Sequence, residues 1–267
     1  MAGTPGHDVA RSSFLAEDHC AMTTASLALI GVTILFSSFV SALFGMAGGM
    51  VLLGVLLVYF DVVTCMVLFS IIQLGTNGWR ALHWRKFVLW PIFWWYVLGG
   101  VVAFVVMRSI AFVPDKALVY LMLGAMPFVV EALPAAMRPN IEWRGVPVIT
   151  GFFTTVIQFL AGVGGLFLDI FFQKSRLDRK TTNATKAVAQ TFSHVLRGLY
   201  FGSLAGVGEL SVTMWGPAIF LAVIGAMLAP YVLERMTDDS FRQWTRVIIF
   251  IIAAVYLVRG GLLLWQA

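Results

Sequence analysis

Asn183, Lys186, Gln190, His194 and Arg197 are separated by three, four, four and three residues, which places them on one side of a helix. Gln73, Asn77 and Arg80 repeat the C-terminal part of that stripe, with Met66 and Phe69 where the second stripe has Asn183 and Lys186. Amide dipoles, an imidazole and cations together form a set of donors suited to a small oxyanion, whose several oxygens only accept. Both stripes lie in runs apolar enough to span a membrane, QLGTNGWRALHW at 73–84 and QTFSHVLRGLYF at 190–201.

An Arg or Lys at the centre of a membrane helix costs about 2.5–3.5 kcal/mol on insertion scales, so such a residue faces the protein interior or a water-filled cavity. The competing reading is that Arg80 and Arg197 reach out to lipid headgroups from near the helix ends. Arg85 and Lys86 follow Arg80 closely and suit that reading, whereas residues 199–205 after Arg197 carry no charge. Gln73 and Gln190 suit either a binding site or a structural interhelical hydrogen bond. His194, with an unperturbed pKa of about 6.5, can accept a proton or serve as a satisfied hydrogen-bonding residue.

The elements that must position these groups follow from composition. Hydrophobic residues make up 60% of the 267 and charged ones 12%, with a mean hydropathy of +0.91, which describes an integral membrane protein. Five of the nine tryptophans (Trp79, Trp84, Trp90, Trp94, Trp95) bracket the basic cluster His83-Trp84-Arg85-Lys86, as in an interfacial belt. The net charge of +5 sits in connections between apolar runs, including Lys174, Arg176, Arg179 and Lys180 around Asp178. That placement points to headgroup anchoring and not to nucleic acid. Cys20 and Cys65 form neither a metal spacing nor a disulfide framework. Residues 1–23, with mixed charge, read as a disordered polar tail and not a cleaved signal peptide.

Spanning the hydrocarbon takes roughly 20 apolar residues, and candidate spans are 24–44, 62–82, 87–107, 116–133, 146–161, 182–204, 214–233 and 241–265. Two apolar stretches are interrupted by glycine clusters, FGMAGGM at 44–50 and AGVGGLF at 161–167. Each cluster reads either as close helix packing through small residues or as a broken, re-entrant helix whose freed backbone groups find partners inside the protein. Setting Gly48-Gly49 against Gly164-Gly165 and allowing one extra residue aligns Asp61 with Asp178, Thr64 with Thr181, Gln73 with Gln190, Asn77 with His194 and Arg80 with Arg197. The expectation is two repeated halves, 24–133 and 146–267, joined by a loop at 134–145. Paired interrupted segments point to a transporter site near the bilayer midplane, with helix ends that favour anions.

The segments GMAGGMVLLGVLL, AGVGGLFLDIFF and NATKAVAQTFSHVLRG resemble the TauE/SafE family of sulfite and organosulfonate exporters over nearly all of the chain after residue 24. Ala47 and Val163 stand where that family commonly has glycine, and no proline follows either cluster. The resemblance implies a multi-pass carrier in a bacterial plasma (inner) membrane, exporting sulfite, sulfoacetate or a related sulfonate. It carries the glycine-cluster role onto Gly45, Gly48, Gly49, Gly162, Gly164 and Gly165, and the polar role onto Gln73, Asn77, Gln190 and His194.

The fold class expected is therefore an all-α polytopic membrane protein of about eight spans in two repeated halves, each with a Gly-rich broken or re-entrant helix. The expected substrate-binding set is Gly48, Gly49, Gln73, Asn77, Arg80, Gly164, Gly165, Asn183, Lys186, Gln190, His194 and Arg197. Its partners are a small anion and the lipid bilayer, with no nucleic acid; proton coupling and a homodimer stay open. No cofactor, metal or catalytic residue is expected, because four histidines, two of them in the tail, offer neither an HExxH pattern nor facing haem pairs. A carrier of another small anion or carboxylate, and a non-transporting scaffold, are the alternatives.

Overall fold

The computed structural model describes residues 24–44, 46–205, 212–233 and 238–266. The stretch 1–23 and Gly45 lie outside these residues. Ten α-helices run through the described residues: α1 (Thr24–Phe44), α2 (Met46–Tyr59), α3 (Val62–His83), α4 (Trp90–Ile110), α5 (Lys116–Ala132), α6 (Val146–Ala161), α7 (Gly165–Phe172), α8 (Arg179–Ala205), α9 (Val212–Leu233) and α10 (Asp238–Gln266). Four stretches, Ser26–Leu43, Val62–His83, Trp90–Ile110 and Gln243–Gln266, are long and apolar enough to cross a membrane by themselves. α8 is long enough but is not among them, because its polar stripe lowers its hydropathy.

Both glycine clusters interrupt a helix, as the broken-helix reading expects. α1 stops at Phe44 and α2 begins at Met46; α6 stops at Ala161 and α7 begins at Gly165. The bundle is held by pairwise packing of α3 on α8, α4 on α6, α1 on α9 and α5 on α10. Lipid chains are as apolar as leucine, so association between helices comes from close packing and hydrogen bonds. A Cβ on Gly99 would lie 1.9 Å from the Val148 carbonyl oxygen, and one on Gly151 would lie 2.0 Å from that of Tyr96, so the α4–α6 backbones touch.

α3 and α8 form the centre. They run antiparallel: Ser70 meets Arg197 near one end, and Leu89, just past α3, donates its amide to Thr185 Oγ1 at 3.0 Å near the other. Beside the buried Arg197 end, Phe159 stacks on Tyr200 at 4.4 Å with Phe201 edge-on, a dry aromatic layer.

The aligned residues Asp61 and Asp178 occupy matching places. Asp61 caps α3 by accepting from the Val63 and Thr64 amides at 2.9 and 3.1 Å, and Asp178 accepts from Lys180 and Thr181 at 3.2 and 3.4 Å at the start of α8. Burial pushes the Asp61 carboxyl up, but hydrogen bonds from Thr64 and Val63 outweigh it and hold it below its usual 3.8. The Thr181 side chain does most to lower Asp178. A depressed folded value means that each cap stabilises above the ordinary carboxylate range and that this contribution is lost as the pH falls through the folded value. Asp61→Ala is expected to cost about 1 kcal/mol in detergent thermal unfolding at neutral pH. The deficit relative to the parent should narrow as the pH falls below the ordinary value of 3.8.

Candidate functional site

The second helix break builds the site. Gly162 ends α6 in a left-handed conformation, φ 74°, which glycine adopts without strain. Leaving the helix there strands backbone groups inside an apolar bundle, so the protein must supply partners. Arg197 Nη1 donates to the Gly162 carbonyl, and the Gly164 amide donates to Gln158 Oε1 at 2.7 Å. Arg197 also donates from Nε to Ser70 Oγ at 2.8 Å, and its guanidinium lies 4.4 Å over the Phe69 ring.

These contacts fix the protonation pattern of His194. Because Gln158 Oε1 faces an amide N–H, its Nε2 is the group 2.8 Å from His194 Nδ1, and it is a donor. Arg197 Nη2 points at the same Nδ1 from 3.1 Å. Two donors converge on Nδ1, so that nitrogen accepts. The imidazole is neutral, with its hydrogen on Nε2.

Between α3 and α8 lies a small cavity. α3 contributes Phe69, Gln73, Asn77 and Arg80; α8 contributes Gln190, Ser193 and His194; α6 contributes Thr154 and Gln158. Ser41 of α1 and Gly162, Val163 and Gly165 of the second break complete it. Every polar side chain on this wall can donate a hydrogen bond, and none is a carboxylate. The Thr154 hydroxyl is buried with no hydrogen bond of good geometry. With about 10 Å³ of accessible space, the cavity holds about one water.

Of the expected site residues, Gln73, Asn77, Arg80, Gly165, Gln190 and His194 come together on this wall. Gly164 lies directly behind it, bonded to Gln158, and Gly49 abuts Gln73, its Cβ position 3.2 Å from Nε2. Gly48 instead sits against the α1 backbone, where a Cβ would fall 2.0 Å from the Ser37 carbonyl oxygen. Three residues stand off the wall. Arg197 is fully buried but braces the break, Lys186 is ion-paired with Asp169 of α7, and Asn183 lies about one turn beyond Lys186. The cation on the wall is Arg80, half-buried, with Nη1 3.4 Å from Asn77 Oδ1.

The model of the sulfite exporter TauE/SafE family matches residues 29–256. The chain belongs to the TauE/SafE family. Membership makes this TauE/SafE protein a multi-pass membrane transporter of the sulfite-exporter type. No curated protein and no solved structure matches the chain.

Sequence reasoning passed over Gln158, Thr154, Ser193 and Ser41 of this cavity wall. A signal was present for two of them: Thr150, Thr154 and Gln158 recur every four residues along α6, one face of a helix. Removing Arg197 leaves the Gly162 carbonyl without this donor, at about 1–3 kcal/mol for an unsatisfied group, while Ser70 keeps its bond to the Met66 carbonyl. Arg197→Leu is therefore expected to lower the unfolding temperature strongly in detergent, whereas Arg80→Leu, at a half-buried position with one long hydrogen bond, should unfold near the parent temperature. Equal losses in the two variants would contradict this division of labour.

Proposed function

We propose that this protein exports a small sulfur-containing anion, sulfite, sulfoacetate or a related sulfonate, across a bacterial plasma membrane by alternating access. The observation that carries the reading is the cavity wall: amides, hydroxyls, an imidazole N–H and one guanidinium, without a carboxylate. A sulfonate offers a fixed charge and three accepting oxygens, and every polar side chain there can donate to it. The nearest acidic group of the broken segment, Asp169, is neutralised by Lys186. The first turn of α7 adds the positive end of a helix, with Gly165 on the wall.

Two halves of inverted topology, α1–α5 and α6–α10, supply the moving parts. The packing supports this reading. α4 on α6 and α9 on α1 are the same contact made twice, while α3 on α8 and α5 on α10 each join an element to its counterpart. The counterparts α3 and α8 point in opposite directions, as an axis in the membrane plane requires. In this reading the cavity of one-water size between them must widen to admit a sulfonate.

An inside-negative potential favours outward movement of an anion by about 2.3 kcal/mol per charge per 100 mV, so export needs no coupled ion. His194 serves as a hydrogen-bond donor and not as a proton carrier, because its Nδ1 already receives two donors.

Flux into proteoliposomes is the test, with sulfite, sulfoacetate, taurine, sulfate, chloride and small carboxylates offered in parallel. At least one sulfur anion should move with the potential, and Gln73→Leu and Gln190→Leu should each slow it by about tenfold or more, the worth of a charge-assisted hydrogen bond. No flux, or flux only with a proton gradient, would overturn the reading; silent substitutions would favour a scaffold. Sulfoacetate flux should be flat from about pH 6 to about pH 8, the range over which an ordinary histidine titrates.

A further inference from the structure

Arg80 borders two spaces. One is the small central cavity; the other is a more open vestibule of about 350 Å³ formed by the C-terminal end of α3 together with α1 and α9. Trp79, His83, Trp84 and Tyr231 make its aromatic wall, and Ala42, Ala226 and Met227 close it against α1 and α9. Trp79 and His83 stack at 6.2 Å and His83 meets Trp84 edge-on at 5.1 Å, so the wall is built of mutually supported rings. Lys180 lies 5.8 Å over the Trp84 ring and 5.6 Å over Phe87, which brings positive charge to the same end of the bundle.

From these observations we infer that the vestibule is a second anion site, an antechamber that receives a small organosulfonate on Arg80 and passes it to the central cavity by rotation of that side chain. The inference rests on the transport reading and deepens it. Three features point the same way. The central cavity has space for about one water, whereas the vestibule has space for an anion with an organic substituent. An aromatic wall beside one guanidinium suits such an amphiphilic ligand, its charged end on the cation and its carbon portion on the rings. Arg80 is also held by fewer hydrogen bonds than its aligned counterpart: it makes the 3.4 Å approach to Asn77 and interacts electrostatically with Asp169, while Arg197 is held by Ser70, Gly162, His194 and the Phe69 ring. Beside Arg197 lies the buried Phe159–Tyr200–Phe201 stack, whereas Arg80 borders the more open space.

Titration of sulfoacetate against the purified full-length protein in zwitterionic nanodiscs, read by tryptophan emission, tests the proposal without relying on transport. The expected result is a saturable change that disappears in the Trp79→Phe/Trp84→Phe double variant. Arg80→Gln should weaken the apparent affinity about tenfold or more, and Arg80→Lys should recover part of it. No saturable change in the parent, or a change indifferent to Arg80→Gln, overturns the inference. A response produced by anionic lipid without sulfoacetate, and not displaced by sulfoacetate, also overturns it, because the occupant is then a lipid headgroup. Flux distinguishes the two levels: sulfonate transport without vestibule binding removes the antechamber and leaves the transport reading, whereas vestibule binding without any flux removes the transport reading and with it the passage to the central cavity, leaving an anion site alone.

Discussion

The fold turns on one constraint: a backbone that leaves its helix inside an apolar bundle must find every hydrogen-bond partner within the protein. At the Gly162–Gly164 break those partners are the Arg197 guanidinium for a carbonyl and the Gln158 side-chain oxygen for an amide. Each partner then fixes something else. Arg197 ties α8 to α3 through Ser70, and Gln158, oriented by the amide it accepts, fixes the tautomer of His194. Local backbone irregularity, helix placement and the chemistry of the cavity wall are thus one linked hydrogen-bond network.

The two aligned arginines divide two tasks between them. Arg197 is immobilised, with three donor contacts and an aromatic face, and adds positive potential next to the cavity without touching it. Arg80 stays half-buried on the wall itself. The asymmetry has a counterpart on the broken segments, where Asp169 and Lys186 of the second half form an ion pair and the aligned residues Leu53 and Phe69 are apolar. In the two-halves reading, matching helices carry unequal polar groups, with Arg197 held beside the cavity and Arg80 half-buried on its wall.

Tight helix crossings provide the rigidity against which such a site can work. Backbones touch at Gly99, Gly151 and Gly48, so these helix pairs are close-packed through small residues. In the inverted-repeat reading, the central α3–α8 pair is the seam around which the bodies exchange positions. That seam is also where the polar side chains concentrate, because it is buried from lipid in both halves.

The sequence by itself determined that the chain is a helical membrane bundle, where its helices run and which two segments are interrupted. Continuous apolarity over span length and clustered glycines depend on neighbours in the chain alone, and the α3 and α8 stripes were legible for the same reason, as spacings of three and four. The distinction among the cations was not legible. Arg80, Lys186 and Arg197 occupy one kind of position in the pattern, and only the tertiary structure decided that one lines a cavity, one is neutralised and one braces a helix break. Arg197 meets its partners 35 and 127 residues away in the chain, and Lys186 meets an aspartate on a different helix. Gln158 stayed hidden because its importance comes from the break it closes, a contact that exists only once α6, α7 and α8 are packed together.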